Sequence, residues 1–177
     1  MTSSVRFHSH VVFRHPIHRD TRGHLVKTFI ASEIASVLPD FSVGEVFIST
    51  SRKDVLRGMH FQGPSHGQHK IISCLEGRAL DVIVDLRKES PGYGQIHEIT
   101  LSADAGESIL VPVGYAHGFL ALEDPTILQY VGSSEYHPLC EGGIRWDSFG
   151  FVWPIKRPTV SERDQSLPSF SEFNTPF

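Results

Sequence analysis

Apolar and polar residues alternate with a period of two along most of this chain, and that restricts what it can fold into more than anything else in it. In ALDVIVDLR (79–87), Leu80, Val82, Val84 and Leu86 fall on one side, while Asp81, Asp85 and Arg87 fall on the other. This is the pattern of a half-buried strand. Similar runs occur in HLVKTF, GEVFISTS, VLRGMHFQ, HKIISCLE, QIHEITLS, SILVPV, HGFLAL and ILQYVG. Glu76-Gly77, ESPGYG, SADAGE and LEDPT separate several of them as turn signals. Nine short strands without intervening helical periods predict an all-β antiparallel sandwich or barrel. Two stretches read as helix: SEIASVLP, capped at Ser32 and stopped before Pro39, and one turn at SERDQ near the end.

No repeat or linker divides the 177 residues, so residues 1–177 are expected to form a single domain. A net charge of −4 leaves no basic surplus to displace counterions, which excludes a nucleic-acid coat. Any bound anion must then be held by local cations. Cys74 and Cys140 are the only cysteines, far apart and in no CxxC pair, as expected of a reduced cytoplasmic protein. Histidines and arginines interrupt the first twenty residues where a leader needs an apolar run. The most apolar stretch, SILVPVGYAHGFLAL, is broken by Pro112, Gly114 and His117, so no membrane partner is expected.

Chemistry is concentrated in RGMHFQGPSHGQHK (57–70) and PVGYAHGF (112–119). Strand alternation places Gly58, His60 and Gln62 on one face and Arg57 and Met59 on the other, unless a bulge intervenes. The Pro-x-Gly-x-x-His turn ending at His117 resembles the second motif of the cupin jelly rolls. The His-x-His of metal-binding cupins is missing, because Phe61 and Gln62 follow His60. A divalent site needs three or four ligands around one point. His60 and His117 supply two, and His66 or His69 joins them only through loop geometry that the sequence leaves open.

Together the motifs resemble a metal-independent cupin family, the nucleotide-sugar 3,5-epimerases typified by dTDP-4-dehydrorhamnose 3,5-epimerase. The resemblance runs through RDTRG (19–23), VLRGMHFQ (55–62), GQHK (67–70), GRALDVIVDLRKESPGYG (77–94), LVPVGYAHGF (110–119), QY (129–130), YHPLCEGGIRWD (136–147), WP (153–154) and SERD (161–164). It implies a cupin jelly roll with one or two short helices, acting without metal or cofactor. The implied substrate is a nucleotide diphosphate linked to a 4-dehydro-6-deoxy hexose. The implied reaction is epimerisation at C3, C5 or both through an enolate, in deoxysugar and polysaccharide biosynthesis.

Inverting a carbon beside a ketone needs a base on one face, an acid on the other, and a group that meets the enolate oxygen. The resemblance assigns His60 as base, Asp164 as its orienting partner, Tyr130 as acid, and Lys70 with His117 at the enolate oxygen. Arg57 and Arg22 would grip the diphosphate, Gln62 and Tyr136 would line the substrate, and Arg22 would serve a partner's site in a homodimer. Each residue also has a plain structural alternative: Asp164 as a helix cap, Tyr130 as a packed aromatic, Arg22 and Arg57 as surface ion pairs, Lys70 as a snorkelling strand residue. Against the family pattern, Lys27 replaces a glutamate, and Glu45 and Phe47 replace Gln-x-Asn. These departures at the nucleotide end point to a base other than thymine, with CDP or GDP sugars as candidates. The loop WDSFGFVWP is also short for the family and is expected to bear on the pocket near Tyr130. Two rivals remain: a metal-dependent cupin using His60, His117 and His66 or His69, and a non-catalytic sugar-nucleotide binder.

Overall fold

The computed structural model describes residues 3–6 and 11–177. The leader expectation for the first twenty residues falls partly outside them. Among the described residues there are thirteen strands and two short helices. The strands are β1 (Ser3–Arg6), β2 (Val11–Arg14), β3 (Ile17–Asp20), β4 (Gly23–Val26), β5 (Glu45–Ser51), β6 (Leu56–Gln62), β7 (Lys70–Glu76), β8 (Arg78–Asp85), β9 (Ile96–Ser102), β10 (Glu107–Val111), β11 (Tyr115–Ala121), β12 (Thr126–Gly132) and β13 (Glu141–Gly143). The helices are α1 (Ala31–Ala35) and α2 (Glu162–Gln165). One antiparallel sheet has the order β1-β2-β10-β7-β12-β5, the other β13-β6-β11-β8-β9, and β3 pairs with β4 as a separate ribbon. Among the described residues, no helix is long and apolar enough to cross a membrane.

All nine expected strands are present, although the one in HLVKTF ends at Val26. The alternation in β8 is as read, but its consequence is not. Ala79, Asp81 and Ile83 face the space between the sheets, where Ile72, Leu101, Ile109, Phe119 and Leu128 form the central core. Leu80, Val82, Val84 and Leu86 face outward, yet they too are covered, by Ile144, Phe149, Trp153 and the apolar residues of the C-terminal segment. Asp81 and Asp85 are 0% and 1% exposed. The half-buried strand is therefore buried on both faces, because a second layer that the alternation does not encode lies over it. On the far side of the sandwich, α1 buries Ile34 against Val11, Phe13, Ile71 and Val131.

Ser32 is not a cap. Helix α1 starts one residue after Ile30, whose backbone takes the cap position without any side-chain hydrogen bond. Packing of Ile34 and of Val37 decides this start. The helix does stop before Pro39, with Leu38 N–H bonded to Ile34 O at 2.8 Å, and a separate turn through Pro39 is closed by Phe41 N–H to Leu38 O at 3.1 Å. Helix α2 forms at the expected turn and is capped by Ser161 and not by Asp164: the Ser161 hydroxyl accepts from the Asp164 N–H at 3.1 Å.

The positioning of the site turns on Gly58. His117 pairs with His60 and Phe119 with Arg57, so the single residue Gly118 faces both Gly58 and Met59. This is the β-bulge that the arginine–histidine spacing demands. Leu56, Met59 and Phe61 pack into the outer layer, whereas Arg57, His60 and Gln62 line the interior. Gly58 has φ +127°, and a Cβ there would sit 2.5 Å from Gly118 Cα and 2.8 Å from His117 O. Gly58→Ala is therefore expected to combine a disfavoured backbone region with overlap against an unyielding strand, together roughly 2–6 kcal/mol. Thermal unfolding should show Tm lowered by about 5 °C or more. An unchanged Tm would mean that the bulge relaxes without cost.

Candidate active site

Between the open ends of the two sheets lies a cavity of about 720 Å³, inside the roughly 300–1,000 Å³ range of small-molecule sites. Strands β5, β6, β7, β11 and β12 supply Glu45, Phe47, Arg57, His60, Gln62, Lys70, His117 and Tyr130, and the C-terminal segment adds Ser161, Arg163 and Asp164. Tyr136 and Glu141 stand at the β13 end. The residues assigned to proton transfer from sequence thus meet at one place, although they are scattered over more than a hundred positions.

His60 Nε2 and Asp164 Oδ1 are 2.7 Å apart, and Asp164 Oδ2 accepts the Gly58 N–H at 3.1 Å. Burial alone would raise the Asp164 carboxyl, but the His60 hydrogen bond and charge, with the Gly58 N–H, hold it below the usual carboxylate range. Its position inside α2 and its bond to His60 coexist, because Ser161 does the capping. With the proton fixed at Nε2, the His60 Nδ1 lone pair is left as the basic atom. The imidazole side chain is 26% exposed, open enough to meet a ligand.

Tyr130 is 6% exposed. It stacks on Phe47, with ring centroids 4.6 Å apart and planes 6° from parallel. Burial pushes its phenol well above the ordinary value, although a hydrogen bond from Ser49 at 3.5 Å and the Arg57 charge act the other way. The hydroxyl therefore holds its proton across the working pH range, as an acid must. His117 meets the Tyr130 ring edge-on at 6.2 Å and bonds Asp81 Oδ2 through Nε2 at 2.7 Å. Asp81 was read from sequence as outward-facing. It is a buried partner of His117, and its Oδ1 makes no hydrogen bond among the described residues.

Burial lowers the Lys70 ammonium from its ordinary value, and Glu141 and Glu45 oppose that shift. Arg57 donates to the Ser51 hydroxyl at 3.0 Å and to Thr50 O at 3.2 Å, both neutral. No carboxylate pairs with Arg57 among the described residues, so its charge stays available to an anion. Glu141 is different. Burial would raise its carboxyl, but the Tyr136 hydroxyl and Arg163, the latter at 2.6 Å, lower it.

Several residues assigned from sequence already have partners of their own. Gln62 lines the wall, but its amide donates to His66 O and Glu135 O and accepts from His137 N–H at 2.6 Å. It ties loops together, with its polar atoms already engaged. Glu45 accepts from Gln68 Nε2 at 2.9 Å and from Tyr136 N–H at 3.1 Å. Arg22 forms an exposed pair with Asp20 at 2.6 Å, and neither Arg22 nor the exposed Lys27 lines this cavity. The short loop WDSFGFVWP packs onto the outer face of the five-stranded sheet, with Trp153 Nε1 bonded to Trp146 O at 2.8 Å, and stays away from Tyr130.

Among the described residues, His60 and His117 belong to no group of three metal-type ligands. His60 and His117 each turn Nε2 to a carboxylate, and His69 Nδ1 accepts the Val113 N–H at 3.2 Å. Sequence reasoning missed Asp81, Glu141, Arg163 and Gln68. All four lie within the recognised motifs, but the periodicity gives no sign of their contacts.

Asp164→Asn gives a pH signature. A carboxyl whose folded pKa is depressed adds stability above its unfolded value, near 3.9, and that stability disappears as pH falls through the folded value. The urea midpoint of the wild-type protein is expected to exceed that of Asp164→Asn at neutral pH, with the gap closing below about pH 4. A gap independent of pH would show that the carboxylate charge contributes nothing.

The sequence matches the family described as dTDP-4-dehydrorhamnose 3,5-epimerase over residues 5–172. It is 40% identical over 123 residues to dTDP-4-dehydrorhamnose 3,5-epimerase of Salmonella typhimurium, covering 68% of this chain and 67% of that one. The structure is similar to that of the 3,5-epimerase from Legionella pneumophila Philadelphia 1 in complex with dTDP-4-keto-L-rhamnose, with TM-score 0.93 and 27% identity over 98% of this chain and 95% of the other. It also resembles the H60N/Y130F double mutant of ChmJ, a 3'-monoepimerase from Streptomyces bikiniensis, in complex with dTDP (TM-score 0.89, 28% identity, 95% and 86% coverage). On the family match, which spans both sheets and the whole cavity, this chain belongs to the dTDP-4-dehydrorhamnose 3,5-epimerase family.

Proposed function

We propose that this cavity epimerises a dTDP-linked 4-dehydro-6-deoxy hexose at C3, at C5 or at both, in deoxysugar biosynthesis. One observation carries the reading: the His60–Asp164 pair, the buried, protonated Tyr130 and Lys70 line the same cavity. His60 Nδ1 takes the proton beside the ketone, and Asp164 stabilises the imidazolium that forms. Lys70 meets the enolate oxygen where charge develops, with His117 beside it. Tyr130 returns a proton from the opposite face. Arg57 binds the diphosphate, for which its planar fork is suited.

The relatives bound to dTDP and to a dTDP sugar support thymidine as the base. Of the three departures that favoured CDP or GDP, Glu45 is held by Gln68 and by the Tyr136 backbone, and Phe47 serves as the stacking partner of Tyr130. Neither leaves an unpaired group facing the base. Residues 1–177 act as one domain, in a homodimer whose partner receives Arg22. The outer face of edge strand β5 supports the dimer, with Val46 and Ile48 56% and 61% exposed; sedimentation as a monomer would remove that part. The free thiols of Cys74 and Cys140 suit the cytoplasm.

The test is proton exchange in D₂O with dTDP-4-dehydro-6-deoxyglucose, followed by NMR. Deuterium is expected at C3, C5 or both, and no incorporation would overturn the reading. Calorimetry with dTDP, CDP and GDP should rank dTDP tightest.

A further inference from the structure

Outside the catalytic cavity, the turn Pro64–His66 and the loop after β12 bring together three side chains that proton transfer does not use. One ring nitrogen each from His66 and His137 and the Cys140 sulfur all lie within 4.8 Å of one another. The Cys140 sulfur is 3.3 Å from His66 Nδ1, and the two imidazoles stack with centroids 3.9 Å apart. His137 and Cys140 close a turn, with Cys140 N–H donating to His137 O at 3.0 Å, which puts their side chains on one side of the loop. A second fact points to a missing ligand. His137 Nδ1 is buried and has no hydrogen-bond partner among the described residues, a cost that a metal bound through that nitrogen would relieve.

We propose that His66, His137 and Cys140 form a site for a borderline-soft divalent cation, zinc being the best fit, with solvent in the fourth position. Bond lengths of about 2.0–2.1 Å to nitrogen and 2.3 Å to sulfur place tetrahedral ligands about 3.3–3.6 Å apart. One pair already stands at that separation, and the remaining contraction is slightly over an ångström, within reach of the exposed His66. Two imidazoles and a thiol select against magnesium and calcium, which take oxygen ligands. Binding converts the thiol to thiolate and releases its proton.

The site would be structural. Gln62 already links His66 O to His137 N–H, and Glu141, next to Cys140, holds the Tyr136 hydroxyl and Arg163. A metal would clamp these two segments and steady the rim at Tyr136 and Glu141 without touching the reacting atoms.

The test is titration of the metal-free, reduced protein with Co²⁺, followed by displacement with Zn²⁺. One equivalent is expected to bind with a thiolate-to-cobalt charge-transfer band and a tetrahedral visible spectrum, and Zn²⁺ should abolish both and raise Tm. Cys140→Ser should remove the charge-transfer band. Loss of the His137 ligand in His137→Ala should weaken binding beyond the roughly 10–100-fold typical of changes around a ligand shell. His18→Ala, an exposed histidine elsewhere, should change nothing, and circular dichroism checks that each variant is folded. Absence of stoichiometric binding, or a band that survives Cys140→Ser, overturns the site.

Discussion

A His60→Asn protein is expected to bind dTDP about as well as the wild type and to wash essentially no deuterium into the sugar. Asparagine fits within the volume of the imidazole, but its amide ends near the Nδ1 position and leaves Asp164 Oδ1, now 2.7 Å from His60 Nε2, to solvent. It has no basic nitrogen to offer the carbon acid. A positioned general base contributes about 10²–10⁴-fold, so kcat/KM should fall by at least that range, about 3–5 kcal/mol of transition-state stabilisation. Asp164 loses its imidazole partner, and the Gly58 N–H that also binds its carboxylate limits the disturbance. Near-normal exchange in this variant would remove His60 from the chemistry and leave the cavity without a base.

Tyr130→Phe separates the two halves of the reaction. The ring stays stacked on Phe47, and only the hydroxyl, raised by burial and held protonated, is lost. His60 can still remove a proton and return one to the same face. Deuterium should therefore enter with retention of configuration, while inverted product forms about 10²-fold or more slowly. The pairing of these outcomes is the diagnostic. Loss of exchange as well as inversion would place Tyr130 on the same step as His60, and wild-type inversion would assign the acid elsewhere.

These tests rest on residues that the sequence exposes unequally. The strands were legible because a period of two is a direct consequence of backbone geometry. The bulge was legible because Arg57 and His60, three apart, cannot otherwise face one cavity. Asp164 was legible only by resemblance: nothing local in SERD says that its carboxylate reaches back to β6. Asp81 shows the limit most clearly. Alternation separates it from Val82 and Val84 but does not say which side is interior: Asp81 faces the space between the sheets beside His117, and residues 144–177 cover the other side. Gln62 becomes a brace through His66, Glu135 and His137, and the tryptophan loop joins the layer over the outer face. Contacts at a sequence separation near one hundred leave no periodic trace.

That covering layer has a bearing on how the protein fails under stress. Asp164 is carried by the same C-terminal strap whose Trp153, Phe170, Phe173 and Phe177 lie over the outer face of the barrel. Such a strap can peel at a lower free energy than the sheets beneath it. Each transient peeling event would leave the imidazole of His60 unanchored while the sandwich stays intact, so inactivation on warming is expected to run ahead of global melting.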